Sequence, residues 1–191
     1  MPRPSEVFKL NTFELPRRAG EMKEYELDIE APENVGVPLI FVPAGEVIEV
    51  DARLESVTEG VLLSAQIFAV AKGECTRCLD SVEVVIEKKI QELFNYSAKV
   101  GRSKKSSHED ELDLEEEFMM DGDIMDLEVP IRDAIVLGLP FNPLCGPDCL
   151  GLCPECGGKW ADLPSDHAHE SVDARWAALA ALDIDNPDFK N

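Results

Sequence analysis

The 191-residue sequence lacks any apolar run long enough to cross a membrane. Its longest apolar stretches, such as Val61–Val70, are shorter and more polar than the roughly 20 residues of a transmembrane helix. The first residues, Met1–Ser5, lead into mixed polar sequence without the apolar segment of a signal peptide. We therefore expect no targeting segment, no membrane association and a cytoplasmic location.

Basic residues are also scarce, with 18 Lys and Arg against 39 Asp and Glu, and the net charge is -21. A chain this acidic repels phosphate backbones, which disfavours broad electrostatic binding to nucleic acid. Such a charge favours a basic protein partner, or it serves only to keep the protein soluble. Direct RNA binding through local positive residues such as Arg77, Lys88 and Lys89 stays open as an alternative.

Common catalytic motifs are absent as well. The sequence has no G-x-S-x-G elbow, no phosphate-binding loop and no H-E-x-x-H motif. Zinc deaminases need H-x-E ahead of P-C-x-x-C, whereas Pro154 lies inside the Cys153–Cys156 pair. The sequence therefore predicts a protein that is not an enzyme. A zinc-dependent enzyme or a thiol oxidoreductase is the alternative.

Hydrophobic patterning predicts an α+β fold built on an antiparallel β-sheet or partial barrel. Apolar residues alternate with polar ones in several segments, which is typical of half-buried strands. A turn at 58–60 joins the segments Glu46–Val57 and Val61–Ala71 into a hairpin. The predicted strands cover Glu24–Glu30, Glu46–Val57, Val61–Ala71 and the start of Val82–Leu93.

A few helices complete the prediction. Ile124, Leu127, Ile131 and Ile135 share one helical face, with Asp123 or Asp126 as a cap and the helix ending before Pro140. A last helix is predicted over Ser171–Leu182.

We divide the chain into three regions: a mainly antiparallel β region (1–96), a flexible acidic insert (97–122) and a C-terminal region (123–191). The last contains a helix, a cysteine-rich zinc module and the final helix, and packs with the β region as one domain. Between Ser106 and Glu128 there are eleven acidic residues and no Lys or Arg. Such a run is typical of a solvated loop, and docking to a basic partner is the alternative.

Paired cysteines carry the strongest chemical signal. Six cysteines in close pairs, in a reducing compartment, indicate metal rather than disulfides. A C-x-x-C turn directs two thiolates at one ion, and the glycine after Cys156 permits a positive φ that brings backbone N–H groups near the sulfurs. The predicted structural zinc ligands are Cys75, Cys78, Cys145, Cys149, Cys153, Cys156, His167 and His169.

Eight donors suffice for two tetrahedral zinc sites. Proximity in sequence favours one site from Cys153, Cys156, His167 and His169, which leaves Cys75, Cys78, Cys145 and Cys149 for the second. The alternative is one zinc ion held by Cys75, Cys78, Cys153 and Cys156. Redox chemistry at Cys75–Cys78 is disfavoured, because a reactive pair usually opens a helix and a strand follows here.

The order of these motifs resembles the YceD-like family, described as large ribosomal RNA subunit accumulation protein. The resemblance runs from about Glu24 to Leu182. It rests on Glu74-Cys75-Thr-Arg-Cys78-Leu79, the acidic insert, Asp126-Leu127 leading to Leu137-Gly-Leu-Pro140, the string from Cys145 to Gly157, and Asp173-Ala-Arg175-Trp176.

The resemblance implies a bacterial or plastid-type protein that supports accumulation of large-subunit ribosomal RNA and ribosome assembly. Many family members carry a Cys-x-Cys-like pair where this chain has His167-Ala-His169, a replacement that keeps the donor character. Together with the acidic charge, this leads us to expect a basic ribosomal protein or assembly factor as partner, in the context of pre-ribosomal particles.

Overall fold

In the computed structural model, residues 6–96, 117–169 and Arg175 are described. The chain divides into two compact units, Met1–Cys149 and Leu150–Asn191. The predicted helix Ser171–Leu182 and most of the predicted insert, residues 97–116, lie outside the described residues. At the end of the predicted insert, Phe118–Met119 forms a short strand, and Met120 is buried.

The first unit contains all the named strands and the helix. The strands are β1 (Lys9–Asn11), β2 (Met22–Glu30), β3 (Val35–Val37), β4 (Ile40–Val42), β5 (Val47–Ser56), β6 (Gly60–Glu74), β7 (Ser81–Asn95), β8 (Phe118–Met119) and β9 (Ile124–Asp126). The helix α1 spans Glu128–Gly138.

Seven strands form one curled, half-barrel sheet that is antiparallel except for the β7–β8 pair. The central strand β6 pairs along its whole length with β7, from Gly60↔Asn95 to Glu74↔Ser81. On its other edge, β6 pairs first with β5 and then, near its end, with β4. This arrangement confirms the predicted antiparallel sheet and the predicted hairpin, and it carries both long strands to the turn that contains Cys75 and Cys78.

Alternating burial explains why these segments are strands. In β5, Ile48, Val50 and Leu54 are buried, whereas Glu49 and Asp51 between them are exposed. Each buried side chain of this size favours folding by about 1.5–3 kcal/mol relative to exposure. The core therefore lies on one face of the sheet, and the other face is exposed over much of its area.

The helix differs from its prediction at its start. Ile124 belongs to β9, which pairs with β1 through Leu10↔Met125, and α1 begins only at Glu128. The Asp126 carboxylate accepts a hydrogen bond from the Glu128 N–H at 3.0 Å, and Pro130 lies in the first turn, where proline is tolerated. Ile131 and Ile135 are buried as predicted.

The helix ends at Gly138, ahead of Pro140. The sequence predicted a few helices, and the described residues contain one α-helix. The other predicted helix, Ser171–Leu182, lies outside these residues, and short strand pairing replaces helix at 124–126. Among these residues, none forms a helix long and apolar enough to cross a membrane.

Candidate metal centres

The turn between β6 and β7 presents the first pair of thiols. The Cys75 N–H donates to the Asp80 carbonyl at 2.7 Å, and the Leu79 N–H donates to the Cys75 carbonyl at 2.9 Å. Leu79 has φ 61, a left-handed conformation that is uncommon outside glycine and tightens the turn. These bonds fold residues 75–80 back on themselves, so that the Cys75 and Cys78 side chains converge.

The segment after α1 brings the second pair of thiols to this turn. The Thr76 N–H donates to the Pro143 carbonyl at 2.9 Å, and Arg77 Nη1 donates to the Cys149 carbonyl at 2.8 Å. Pro143 is buried, whereas Phe141 is 98% exposed, so the segment brings little apolar surface of its own. Hydrogen bonds to backbone carbonyls, rather than a hydrophobic core, place Cys145 and Cys149 beside the β6–β7 turn.

The four sulfurs form a compact group. Cys75 Sγ lies 3.8 Å from Cys149 Sγ, and Cys78 Sγ lies 3.4 Å from Cys145 Sγ. All four sulfurs lie within 4.8 Å of one another. Two thiolates bound tetrahedrally to one zinc at about 2.3 Å are separated by about 3.8 Å. The group therefore has the size and the donor chemistry that zinc requires.

The observed distances do not correspond to disulfides. A disulfide joins its sulfurs at about 2.05 Å, and all six cysteines are free thiols. Cys75 is fully buried and Cys78 is 6% exposed, which shields both sulfurs from the thiol or disulfide partner that redox exchange needs. A strand rather than a helix N-terminus follows the pair. These features favour metal ligation over oxidoreductase chemistry.

The local environment prepares one thiol for metal binding. Burial alone would raise the pKa of Cys75, but backbone hydrogen bonds from Cys145, Cys78 and Arg77 lower that pKa to about 6. Burial and the neighbouring thiols outweigh a backbone hydrogen bond at Asp80 and raise the pKa of Cys78. Zinc binds the thiolate form of cysteine, so zinc binding would release the protons that these four thiols hold.

A second group of donors lies in the unit Leu150–Asn191. The Gly157 N–H donates to the Cys153 carbonyl at 2.9 Å, and the Cys153 N–H donates to the Gly158 carbonyl at 2.7 Å. Gly157 has φ 70, the positive value that its position after the Cys-x-x-Cys turn predicts. Cys153 is 3% exposed, and the turn directs both cysteines toward the histidines that follow.

The histidines complete this second group. Cys156 Sγ lies 3.5 Å from His167 Nε2, and His167 Nε2 lies 2.8 Å from His169 Nε2. His169 Nδ1 faces the Glu155 carboxylate at 3.8 Å, leaving Nε2 for the centre of the group. A carboxylate next to the outer nitrogen is the usual way in which a metal-ligating histidine is oriented. All four donor atoms lie within 4.8 Å of one another.

Hydrogen bonding also lowers the thiol pKa in this group. A backbone hydrogen bond from Cys156 makes the largest contribution and, despite the opposing effect of burial, brings the pKa of Cys153 to about 6. Backbone contact with Glu155 and a hydrogen bond from His167 act in the same direction. The group can therefore offer a thiolate at neutral pH.

The structure thus groups the eight predicted donors as the proximity argument does. Cys75, Cys78, Cys145 and Cys149 form one group, and Cys153, Cys156, His167 and His169 form the other. Sequence reasoning missed the residues that support these groups. Pro143 acts through its backbone carbonyl, which carries no side-chain signature. Asp80 acts through its carbonyl and also through its carboxylate, which accepts a hydrogen bond from Cys78 Sγ at 3.4 Å. Glu155, inside a cysteine pair, and Asp80, two residues after another such pair, have a readable signal as acidic residues next to the cysteines.

Comparison with known proteins relates this chain to one protein family. Over residues 63–183 the chain matches the family described as large ribosomal RNA subunit accumulation protein YceD. An uncharacterized protein of Mycobacterium tuberculosis is 40% identical over 168 residues, which cover 88% of this chain and 77% of that protein. An uncharacterized protein of Mycobacterium leprae is 35% identical over 168 residues, covering 88% and 74%. No solved structure matches the chain significantly.

Proposed function

This chain belongs to the family of the large ribosomal RNA subunit accumulation protein YceD, and we propose that it is a non-enzymatic factor that supports accumulation of large-subunit ribosomal RNA during ribosome assembly. The matched region, 63–183, contains most of β6, all of β7 and α1, and all eight candidate zinc ligands. The observation that carries the proposal is that the region matching the family includes both donor groups. The protein would act in the cytoplasm, where ribosomes assemble and thiols stay reduced.

Two zinc ions have a structural role in this proposal. Each group supplies four protein donors, which fill a tetrahedral shell and leave no position for a substrate or a reactive water. One ion joins Cys75 and Cys78, at the end of the β6–β7 hairpin, to Cys145 and Cys149 beyond α1. The other closes the short loop from Cys153 to His169. Zinc there would supply cross-links rather than catalysis.

A basic ribosomal protein or assembly factor is the partner that the charge favours. At a net charge of -21, the chain attracts basic polypeptides before they reach ribosomal RNA. Direct RNA binding is the competing proposal. It would depend on local cations, yet one of them, Arg77, already donates to the Cys149 carbonyl. Pull-downs at low salt should recover a ribosomal protein or pre-ribosomal particles, and nuclease treatment should not release the ribosomal protein if the contact is to protein.

Depletion of the protein in its own host tests the proposed function. We expect the ratio of large-subunit to small-subunit ribosomal RNA to fall and precursor particles to accumulate on sucrose gradients. Re-expression of the wild-type chain should restore the ratio. A variant with conservative changes at exposed Glu21 and Glu59, Glu21→Gln/Glu59→Gln, should restore it equally, because both positions lie outside the strands and the donor groups. An unchanged ratio after full depletion would remove the proposal.

A further inference from the structure

The sheet has a second face, opposite the core, that is exposed over most of its area. This outer face carries the side chains of β2, β5, β6 and β7 that alternate with the buried positions. Antiparallel sheets commonly expose one such face, and its residues are then usually polar. Here the central strand β6 departs from that pattern, because Phe68 and Val70 point outward.

Exposed apolar residues cluster on this face. Val70 pairs directly with Val85, and the two side chains are 37% and 75% exposed. Val47, on the same face of β5, is 45% exposed. Phe68 lies two residues before Val70 on the same face of β6 and is half-buried. We name Val47, Phe68, Val70 and Val85 the valine stripe. Branched and aromatic residues favour strands, but three neighbouring valines that are exposed add no buried apolar surface to the core.

A groove continues the stripe toward β4. Phe41 pairs with Lys72, which lies on the same face as Val70, two residues away on β6. The groove has a volume of about 420 Å³, and its apolar lining comes from Pro38, Leu39, Phe41 and Pro43. Leu39 is 54% exposed. The stripe and the groove form an apolar track across the sheet, which is interrupted by Lys72. Lys72 lines the groove together with Glu74 and forms an ion pair with Glu46.

Acidic side chains border this track. Phe68 pairs with Glu49 on one side and with Glu87 on the other, so carboxylates flank it across both neighbouring strands. Further along, Asp28 lies directly opposite Glu49 and Glu26 lies opposite Asp51. Like charges in opposed positions destabilise a sheet. An opposite charge placed over this face would relieve that repulsion.

We propose that the outer face of the sheet, with the valine stripe at its centre, is the docking surface for a basic segment that alternates cationic and apolar residues. This inference rests on the proposed function and assigns the basic partner to one surface. The apolar side chains of the segment would cover Val70 and Val85, and its cations would pair with Glu49 and Glu87. A second copy of this chain fits poorly, because two faces with the same negative border repel each other.

The test uses the full chain, loaded with zinc, and a synthetic fluorescent peptide that alternates lysine and valine. We expect binding at about 0.05 M salt that weakens severalfold at about 0.5 M, where the Debye length is shorter. The Val70→Thr/Val85→Thr variant keeps branched side chains of the same size and should bind at least fivefold more weakly. Glu49→Gln/Glu87→Gln should weaken binding at least threefold. The control Glu21→Gln/Glu59→Gln removes the same charge elsewhere and should change affinity less than twofold.

Several results would overturn the assignment. If a peptide with serine in place of valine binds as tightly, binding depends on charge attraction alone. If all variants bind the peptide equally, the outer face is not its binding site. Dimerisation of the wild type that Val70→Thr/Val85→Thr abolishes would assign the face to a second copy. The peptide assay needs no ribosome, so its failure removes this surface alone, whereas failure of the ribosomal RNA measurement removes the proposed function.

Discussion

A Cys75→Ser variant should lose one of two zinc ions and have a melting temperature lower by an amount on the order of 10 °C. Cys75 is fully buried, and its sulfur lies 3.8 Å from that of Cys149. A hydroxyl keeps the size of the side chain but is a poor zinc ligand, so three donors remain around a group that needs four. Without the ion, few contacts hold the segment 140–149 to the β6–β7 turn, because that segment contributes little to the core.

Metal analysis and thermal unfolding by circular dichroism measure this effect. The neighbouring variant Leu79→Ala is a matched control, because Leu79 is 61% exposed and belongs to the same turn without donating to the group. It should keep both ions and a melting temperature near that of the wild type. A chelator should destabilise the wild type more than it destabilises Cys75→Ser. Retention of two ions by Cys75→Ser would rule out Cys75 as a ligand.

A His167→Ala/His169→Ala variant should also bind one zinc ion instead of two, but with a different consequence for stability. Both histidine Nε2 atoms lie 2.8 Å apart in the second group, where Cys153 and Cys156 alone cannot fill a tetrahedral shell. The first group has its own four cysteines in the unit Met1–Cys149. The unfolding transition of the β-sheet should therefore remain within a few degrees of the wild-type value.

This variant separates the two ligand pairings that the sequence allows. If Cys75, Cys78, Cys153 and Cys156 shared one ion, removal of the histidines would leave the zinc content unchanged. Asp162→Asn/Asp166→Asn serves as the control, because both side chains are exposed in the same unit and lie outside the donor group. Loss of both ions from the histidine variant, or of neither, would contradict independent sites.

Local patterns in the sequence were enough to find the main strands and the donors. Alternation placed both ends of β2, β5 and β6 within three residues, and the start of β7 within one residue, because each strand has one buried face. The Cys-x-x-Cys pairs were readable because zinc demands close donors. Proximity along the chain also led to the grouping that the structure shows, since His167 and His169 follow Cys156 closely.

Non-local pairing explains what the sequence did not reveal. Ile124 fits a helical face as well as a strand, and its strand partner Asn11 lies far away in the chain. Strands of two or three residues, such as β8, are too short for alternation to be recognised. The outer face was missed for a related reason. Val70 and Val85 read as ordinary strand residues until the register of β6 and β7 places them side by side in solvent.

Native mass spectrometry of the full chain, purified under reducing conditions, tests the zinc assignment most directly. Two groups of four donors predict two zinc ions per chain, one released by Cys75→Ser and the other by His167→Ala/His169→Ala. A wild-type chain that binds no zinc, or a single ion released by both variants, would contradict two independent structural zinc sites.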